Sequence, residues 1–324
     1  MPGCGTRTFL DSDHYEESLR QAHIELVITS RGRFKSHITW AELHRLLLLR
    51  CEEEVPRIAY LSPAPQLAFV AFPAGSGVLP VWGGVEVQEG DIVFHNRGKR
   101  QHEWTRGPSC WNLMAMDLGE LERYGRAVSG KPLSPPPEGK VLLPSSRDAA
   151  RLRRLHAQAC RLAETKPKIL AHPEVARAIE QGLIQALVTC LTAAKVQEGG
   201  TAKRDHARIM ARFEEVLAEH LTRPPHMPDL CELIGVTDRT LRSCCAEFLG
   251  ISPSRYVLLR RLKQVRVALR DADPDIANVA ELARRHGFTE LGRFAGAYRA
   301  AFGEAPSTTL RRAPEARFPG PLTF

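Results

Sequence analysis

Two periodicities divide the 324 residues of this chain. Up to about residue 117, apolar positions come in short runs or alternate with polar ones, broken by Gly, Pro and Asn. AFVAFPAG, LPVWGGVEVQEGDIVFHNRG and CWNLMAMDL are examples. This pattern predicts strands and turns over residues 25 to 117. The richest runs, Leu46 to Leu49 and Gln66 to Phe72, suit buried strand or helix, and Val85 to Val93 predicts a hairpin turning at Glu89-Gly90-Asp91. From Leu118 the spacing becomes helical, over Gly119 to Ser129, Arg147 to Ala163 and Pro173 to about Val196. The last of these carries Ile179, Leu183, Ile184, Leu187, Val188 and Leu191 on one face, which predicts a core-facing surface or, failing that, a self-association face. Pro135-Pro136-Pro137 reads as a stiff spacer, and Gln197 to Lys203 has the composition of a flexible linker.

From residue 205 onward a single helical unit is written twice. The first copy reads MPDLCELIGVTDRTLRSCCAEFLGISP (227 to 253), the second VAELARRHGFTELGRFAGAYRAAFGEAP (279 to 306). Leu230-Cys231 falls on Leu282-Ala283, and Gly235 on Gly287. With one extra residue in the second turn, Leu241 meets Phe294, Cys245 meets Tyr298, Gly250 meets Gly303 and Pro253 meets Pro306. Repetition of a supersecondary unit is informative because one such unit buries too little to stand alone. Small Cys231 and Ala283 suit a close helix crossing. Gly235 and Gly287 supply the left-handed residue that ends a helix, and Thr237 and Thr289 sit where an N-cap would start the next. Apolar residues then follow at helical spacing: Leu241, Cys245 and Phe248, and Phe294, Tyr298 and Phe302. Helix, glycine turn and capped helix together make the hairpin whose second helix can enter a DNA major groove.

These residues resemble the AraC/XylS family of bacterial transcription regulators, whose DNA-binding domain has two such hairpins joined by a long helix. The family's G-F and F-G-x-x-P pattern stands here as Gly287-Phe288 and Phe302-Gly303-Glu304-Ala305-Pro306. Within the family, RTL, SPSRYVLLRRL and GRFAGAYRAAFGEAPSTTLRR look most like regulators resembling the ethanolamine-operon activator. Ser243-Cys244-Cys245 departs from the basic and aromatic residues usual in the first recognition helix, so base contacts there are less well specified.

The resemblance and the pattern together imply a multidomain α+β protein. A β-rich sensor would occupy residues 1 to 135, resembling a cupin-type jelly roll at the Gly90-Asp91 turn. A helical extension and linker (136 to 204) and an all-α double helix-turn-helix domain (205 to 324) would follow. The early turns of the two recognition helices supply candidate base readers. Arg239, Arg242 and Arg293 can reach guanine O6 and N7, Thr240 and Ser243 can add hydroxyl contacts, and Glu290 can accept from cytosine N4. Gly292 would let the backbone approach DNA closely. The plainer readings are solvated charge for the arginines and a favourable helix-dipole contact for Glu290. Thr237, Thr289, Arg255, Arg260, Arg261, Lys263 and Arg299 are the expected phosphate contacts. Implied partners are double-stranded promoter DNA, RNA polymerase where the protein activates, a small-molecule effector whose binding residues are not identified, and a second copy in a homodimer.

Composition narrows the alternatives. The net charge of +8 and pI near 9.2 favour a polyanionic partner. From Pro253 to Arg270 there are six basic residues and no acidic one. The eight cysteines form no CxxC pair, so neither a zinc site nor a disulfide framework is indicated. No apolar run reaches membrane-spanning length, and MPGCGTRTF lacks the basic start and apolar core of a signal peptide, so a cytoplasmic location is expected. One rival is a cupin-type metal enzyme with an accessory DNA-binding tail. It would have to use His95, His102 and Glu103, which lack the HxH spacing of such sites. No G-x-S-x-G elbow, P-loop or dinucleotide fingerprint is present, so no catalytic residue, metal or cofactor is expected. A second rival, an architectural DNA binder without a sensor, leaves the N-terminal domain unexplained.

Overall fold

The computed structural model describes residues 3–19, 21–30, 33–197, 201–220 and 224–312. The N-terminal part opens with β1 (Gly3–Phe9), the short helix α1 (Ser12–Ser18), β2 (Ala22–Ile28), β3 (Ser36–Glu42), β4 (Leu46–Glu53) and β5 (Arg57–Pro63). It continues through β6 (Leu67–Gly77), β7 (Val81–Trp82), β8 (Val85–Glu86), β9 (Ile92–Phe94), β10 (Gln101–Trp104) and β11 (Ser109–Asp117). The chain then turns helical: α2 (Leu118–Ser129), strand β12 (Lys140–Leu143), α3 (Ser146–Thr165), α4 (Pro167–Leu170), α5 (Pro173–Ala193) and strand β13 (Lys195–Val196).

The strands form two antiparallel sheets, ordered β1-β3-β4-β11-β6-β9-β12-β13 and β2-β5-β10-β7-β8. The central strands of the larger sheet are apolar on both faces because both are covered. In β4, Leu46 and Leu48 point to a core shared with α2, α3 and α5, whereas Leu47 and Leu49 point to the core facing the second sheet. The same alternation splits Ala68, Val70 and Phe72 from Leu67, Phe69 and Ala71 in β6. The two richest apolar runs of the sequence are therefore strands. The stripe on α5 lies in the first of these cores, with Leu183, Ile184, Leu187 and Val188 buried, so it is a packing face and not an open association surface.

Two expectations need correction. Val85 to Val93 does not make a hairpin: β8 pairs with β7, while β9 pairs with β6 and β12. The Glu89-Gly90-Asp91 turn is real, closed by the Gln88 amide donating to Asp91 Oδ2 (2.8 Å), with Gly90 at φ +102°. The strands on its two sides go to different sheets, so the turn is a corner. Nor is all of Gln197 to Lys203 a linker. The Gln197 amide donates to the Val141 carbonyl (2.9 Å), and Thr201 already begins a helix. Residues 198 to 200 lie outside the described residues.

The C-terminal helices are α6 (Thr201–Glu219), α7 (Met227–Ile234), α8 (Asp238–Leu249), α9 (Pro253–Asp271), α10 (Val279–Arg285), α11 (Leu291–Phe302) and α12 (Pro306–Leu310). Phe213, Leu241, Cys245, Tyr256, Phe294 and Tyr298 are buried in their common core. That core also receives Val27, Ile58, Val81 and Trp104 from the smaller sheet. The β-rich part and the helices are therefore packed against each other. Among the described residues no helix is long and apolar enough to cross a membrane.

Candidate nucleic-acid interface

The two hairpins repeat down to individual bonds. Gly235 (φ +80°) follows α7, and the amide of Val236 donates to the Cys231 carbonyl at 3.0 Å. Gly287 (φ +76°) follows α10, and the amide of Phe288 donates to the Ala283 carbonyl at 3.0 Å. Equivalent glycines, Gly250 and Gly303, end α8 and α11 in the same left-handed conformation, and Pro253 and Pro306 open the following helices. The starts of α8 and α11 differ. Thr237 caps α8, its Oγ1 accepting from the Thr240 amide at 3.1 Å. Thr289 does not cap α11. Glu290 holds the cap position without a side-chain bond, because the extra residue of the second turn leaves Thr289 one place early.

The early faces of both second helices are open. Arg239, Arg242 and Ser243 are exposed and Thr240 is half-buried, its hydroxyl 2.8 Å from that of Thr237. Arg242 Nε donates to Asp238 Oδ2 at 2.7 Å, whereas Arg239 has no ion-pair partner among the described residues. On α11, Arg293 is paired with Glu290 (3.0 Å), and a side chain at Gly292 would meet nothing within 4 Å. Arg255, Thr289 and Arg299 are also exposed.

The remaining cations of α9 are turned elsewhere. Arg261 donates to the His286 carbonyl (3.2 and 3.0 Å) and lies over the Phe288 ring at 4.3 Å, tying α9 to the second turn. Arg260 pairs with Glu25 of β2 through two bonds of 2.8 Å and with Glu214 of α6 at 2.5 Å. Lys263 donates to Glu16 and to the Leu26 carbonyl. Arg266 pairs with Asp11 (2.5 Å) and Asp13 (2.8 Å), and Arg270 also meets Asp13 (2.8 Å). In this arrangement Arg260 and Lys263, two of the expected phosphate contacts, neutralise carboxylates of the β-rich domain.

Glu214 is the centre of this interface. Burial would raise its pKa, but bonds from His102 (2.8 Å) and Tyr256 (2.7 Å) and the charge of Arg260 prevail and hold it at about 2. Burial likewise opposes ionisation of Asp11, and Arg266 and Arg270 outweigh it, so the Asp11 pKa is lowered. At Glu16 burial wins over Lys263 and the pKa is raised. A further contact involves α8 itself: Trp104 Nε1 donates to the Glu247 carbonyl at 3.1 Å. Sequence reasoning missed the acidic partners. Their signal was an acid-rich stretch, DSDHYEE at 11 to 17, complementary to the acid-free α9.

The histidines of the metal-enzyme alternative are used differently. His102 is spent on Glu214, and Glu103 faces Arg57 at 2.6 Å on the other side of β10. Among the described residues no group of three or more His, Cys, Asp or Glu is arranged to hold a metal.

Residues 230–312 match the protein family described as "Helix-turn-helix domain". The "XylDLEGF operon transcriptional activator" of Pseudomonas putida is 37% identical over 101 residues, which are 31% of this chain and 32% of that protein. The "Probable thc operon regulatory protein" of Rhodococcus erythropolis is 32% identical over 152 residues, 46% of this chain and 45% of its own length. The matched region thus spans about a third to a half of these two curated relatives. A solved structure, that of the AraC-like transcriptional activator CuxR, aligns with 81% of this chain and 94% of its own at 14% identity and a TM-score of 0.44. The C-terminal part of this chain is a helix-turn-helix domain.

Proposed function

We propose that this protein is a sequence-specific, effector-responsive transcription regulator of the AraC/XylS type. It reads two successive major-groove segments of promoter DNA with α8 and α11. The observation that carries this is the repetition of two hairpins across α9, matched in their glycine-turn bonds, each presenting an open early turn on its second helix. Two groove readers set about one helical turn of DNA (about 34 Å) apart on one face is the geometry such a pair supports. Arg239, Thr240, Arg242 and Ser243 are assigned to the first segment, and Glu290, Gly292 and Arg293 to the second. Arg242 and Arg293 exchange a neighbouring carboxylate for guanine on binding, a modest cost for exposed pairs. Thr237, Thr289, Arg255 and Arg299 are assigned to phosphates. Arg260 and Lys263 are reassigned from phosphate to interdomain docking.

The β-rich domain is the sensor in this reading, and its sandwich is taken as cupin-like. RNA polymerase, a homodimer partner, a cytoplasmic location and the absence of enzymatic activity belong to the same proposal. So does the finer likeness to ethanolamine-operon-type regulators. Selection from random duplexes with the full chain tests it. The bound pool should converge on one motif with two conserved segments about 10 base pairs apart. A pool without a consensus would leave only a non-specific binder.

A further inference from the structure

The outer face of α3 carries a row of arginines. Arg147, Arg151, Arg154 and Arg161 are all exposed, with the neutral Gln158 between the last two. Their spacing of four, three and seven residues puts them within one narrow arc of the helix. Ala149, Leu152, His156, Ala159, Cys160 and Ala163 are buried on the opposite arc, so packing fixes which way the row faces. The two carboxylates of α3 lie off the arc and are engaged elsewhere, Asp148 with Ser145 (2.6 Å) and Glu164 with Thr39 (2.7 Å). None of the row's arginines has an ion pair among the described residues. Elsewhere the chain neutralises such charges. On each of α2, α6, α8, α10 and α11 an exposed arginine pairs with an acid three or four residues away. Like charges at helical spacing repel, so the row disfavours its own helix until something anionic covers it.

We propose that this row binds the phosphate backbone of duplex DNA outside the segments read by α8 and α11. From Arg147 to Arg161 the helix rises about 21 Å. A compact anion would reach only part of that length, whereas a nucleic-acid backbone offers charge at regular intervals along all of it. Arginine without lysine also suits phosphate, which the planar guanidinium meets in a bidentate pair. The fold sets where that DNA lies. α3 covers the outer face of the larger sheet, and the C-terminal helices cover the outer face of the smaller one. Both sheets therefore separate the row from α8 and α11. DNA on the row is either the flank of the recognised site, bent back around the β-rich domain, or a separate duplex. The inference rests on the regulator reading for the recognised site, but the charge complementarity stands without it.

The test saturates the full chain with a short duplex of its selected site, then adds a labelled duplex of unrelated sequence. Fluorescence anisotropy reads capture of the second duplex across salt concentrations. Arg147→Gln, Arg151→Gln, Arg154→Gln and Arg161→Gln together should abolish that capture, or lower its salt slope by about 3–4 units. Their affinity for the short site should not change, and because all these positions are exposed the circular dichroism should not either. Arg208→Gln with Arg212→Gln removes acid-paired arginines of α6 and should leave capture intact. Extending the site duplex on both sides separates the two sources. A row that takes the flank gains affinity from the extension and then releases the second duplex, whereas a row for separate DNA gains nothing and still captures it. Either effect must vanish in the four-arginine variant. The proposal is overturned by a wild type that shows neither effect, by a variant that keeps both capture and slope, or by equal loss in the α6 control. Polyglutamate competing as well as duplex DNA would assign the row to an acidic protein instead and overturn it too. Specific DNA binding without any effect of the row sinks this inference alone. A chain that selects no consensus is titrated directly with the unrelated duplex. Row-dependent binding there sinks the regulator reading and leaves a non-specific DNA surface.

Discussion

The guanidinium of Arg260 meets the carboxylate of Glu25 in a two-pronged ion pair, both bonds 2.8 Å long, joining the helix between the hairpins to the sheet of the N-terminal domain. Arg260 is buried, and its pKa is raised because Glu214 and Glu25 outweigh the burial that would lower it. A planar fork suits this role better than a lysine ammonium would. The pair also separates two possible uses of a basic helix, because a cation committed to a buried carboxylate is not free to release counterions from DNA.

Arg260→Ala should therefore cost about 3–5 kcal/mol of stability, since it leaves Glu214 and Glu25 without their shared partner. Replacing Glu25 as well should recover part of that loss in a double-mutant cycle. The slope of DNA affinity against salt should stay unchanged in the single variant, whereas Arg255→Ala and Arg299→Ala should each lower it by roughly one unit. Denaturant titration and salt-dependent binding isotherms check the two halves.

Gly250 and Gly235 provide a matched pair. Both are left-handed, at φ +68° and +80°, but a side chain at Gly235 would meet nothing within 4 Å, whereas one at Gly250 would fall 2.4 Å from the Trp104 ring. Gly235→Ala should cost about 1 kcal/mol for the backbone alone. Gly250→Ala should cost about 1–3 kcal/mol more, because Trp104 must give way. Equal losses in thermal melts would mean that Trp104 does not pack against the end of α8 in solution.

The pH dependence should have two stages. His95 and His156 are neutral when folded, each brought by burial from an ordinary 6.5 to about 4. The unfolded chain takes up those protons first, so stability is complete above about pH 6.5 and declines as pH falls toward 4. Glu214 has a folded pKa of about 2 against an ordinary 4.5, so its contribution is present above about 4.5 and lost between there and 2. Each shift corresponds to on the order of 3 kcal/mol. His156→Phe should flatten the upper stage and Glu214→Gln the lower, as read by melting temperature against pH.

Much of the C-terminal fold was legible because its signals are local. A glycine stop, a threonine cap and apolar residues at helical spacing act within one turn of chain, and Gly235, Thr237 and Leu241 stand where that logic puts them. Thr289 is misplaced by one residue because the extra residue of the second turn, visible in the alignment of the two copies, moves the cap to Glu290, while a threonine two places after the glycine imitates the cap of the first copy. The corner at Gly90 shows another limit: a turn can be read from three residues, but the sheet each flanking strand joins is fixed by partners such as Leu142 and Val70 far along the chain. The roles of Arg260 and Lys263 were hidden for the same reason. Their basic character is in the sequence, but of the carboxylates that claim them Glu25 and Glu16 lie more than 200 residues away and Glu214 sits on another helix.

The most direct test of the two-groove reading is hydroxyl-radical footprinting of the full chain on its selected site. Two protected tracts should appear on one face of the duplex, centred about 10 base pairs apart. Arg239→Ala with Arg242→Ala should weaken discrimination in one tract only, and Arg293→Ala in the other only, each contact contributing about 1–3 kcal/mol. Protection by a single tract, or loss of discrimination in both tracts from either set of substitutions, would contradict the assignment of α8 and α11 as separate readers of successive grooves.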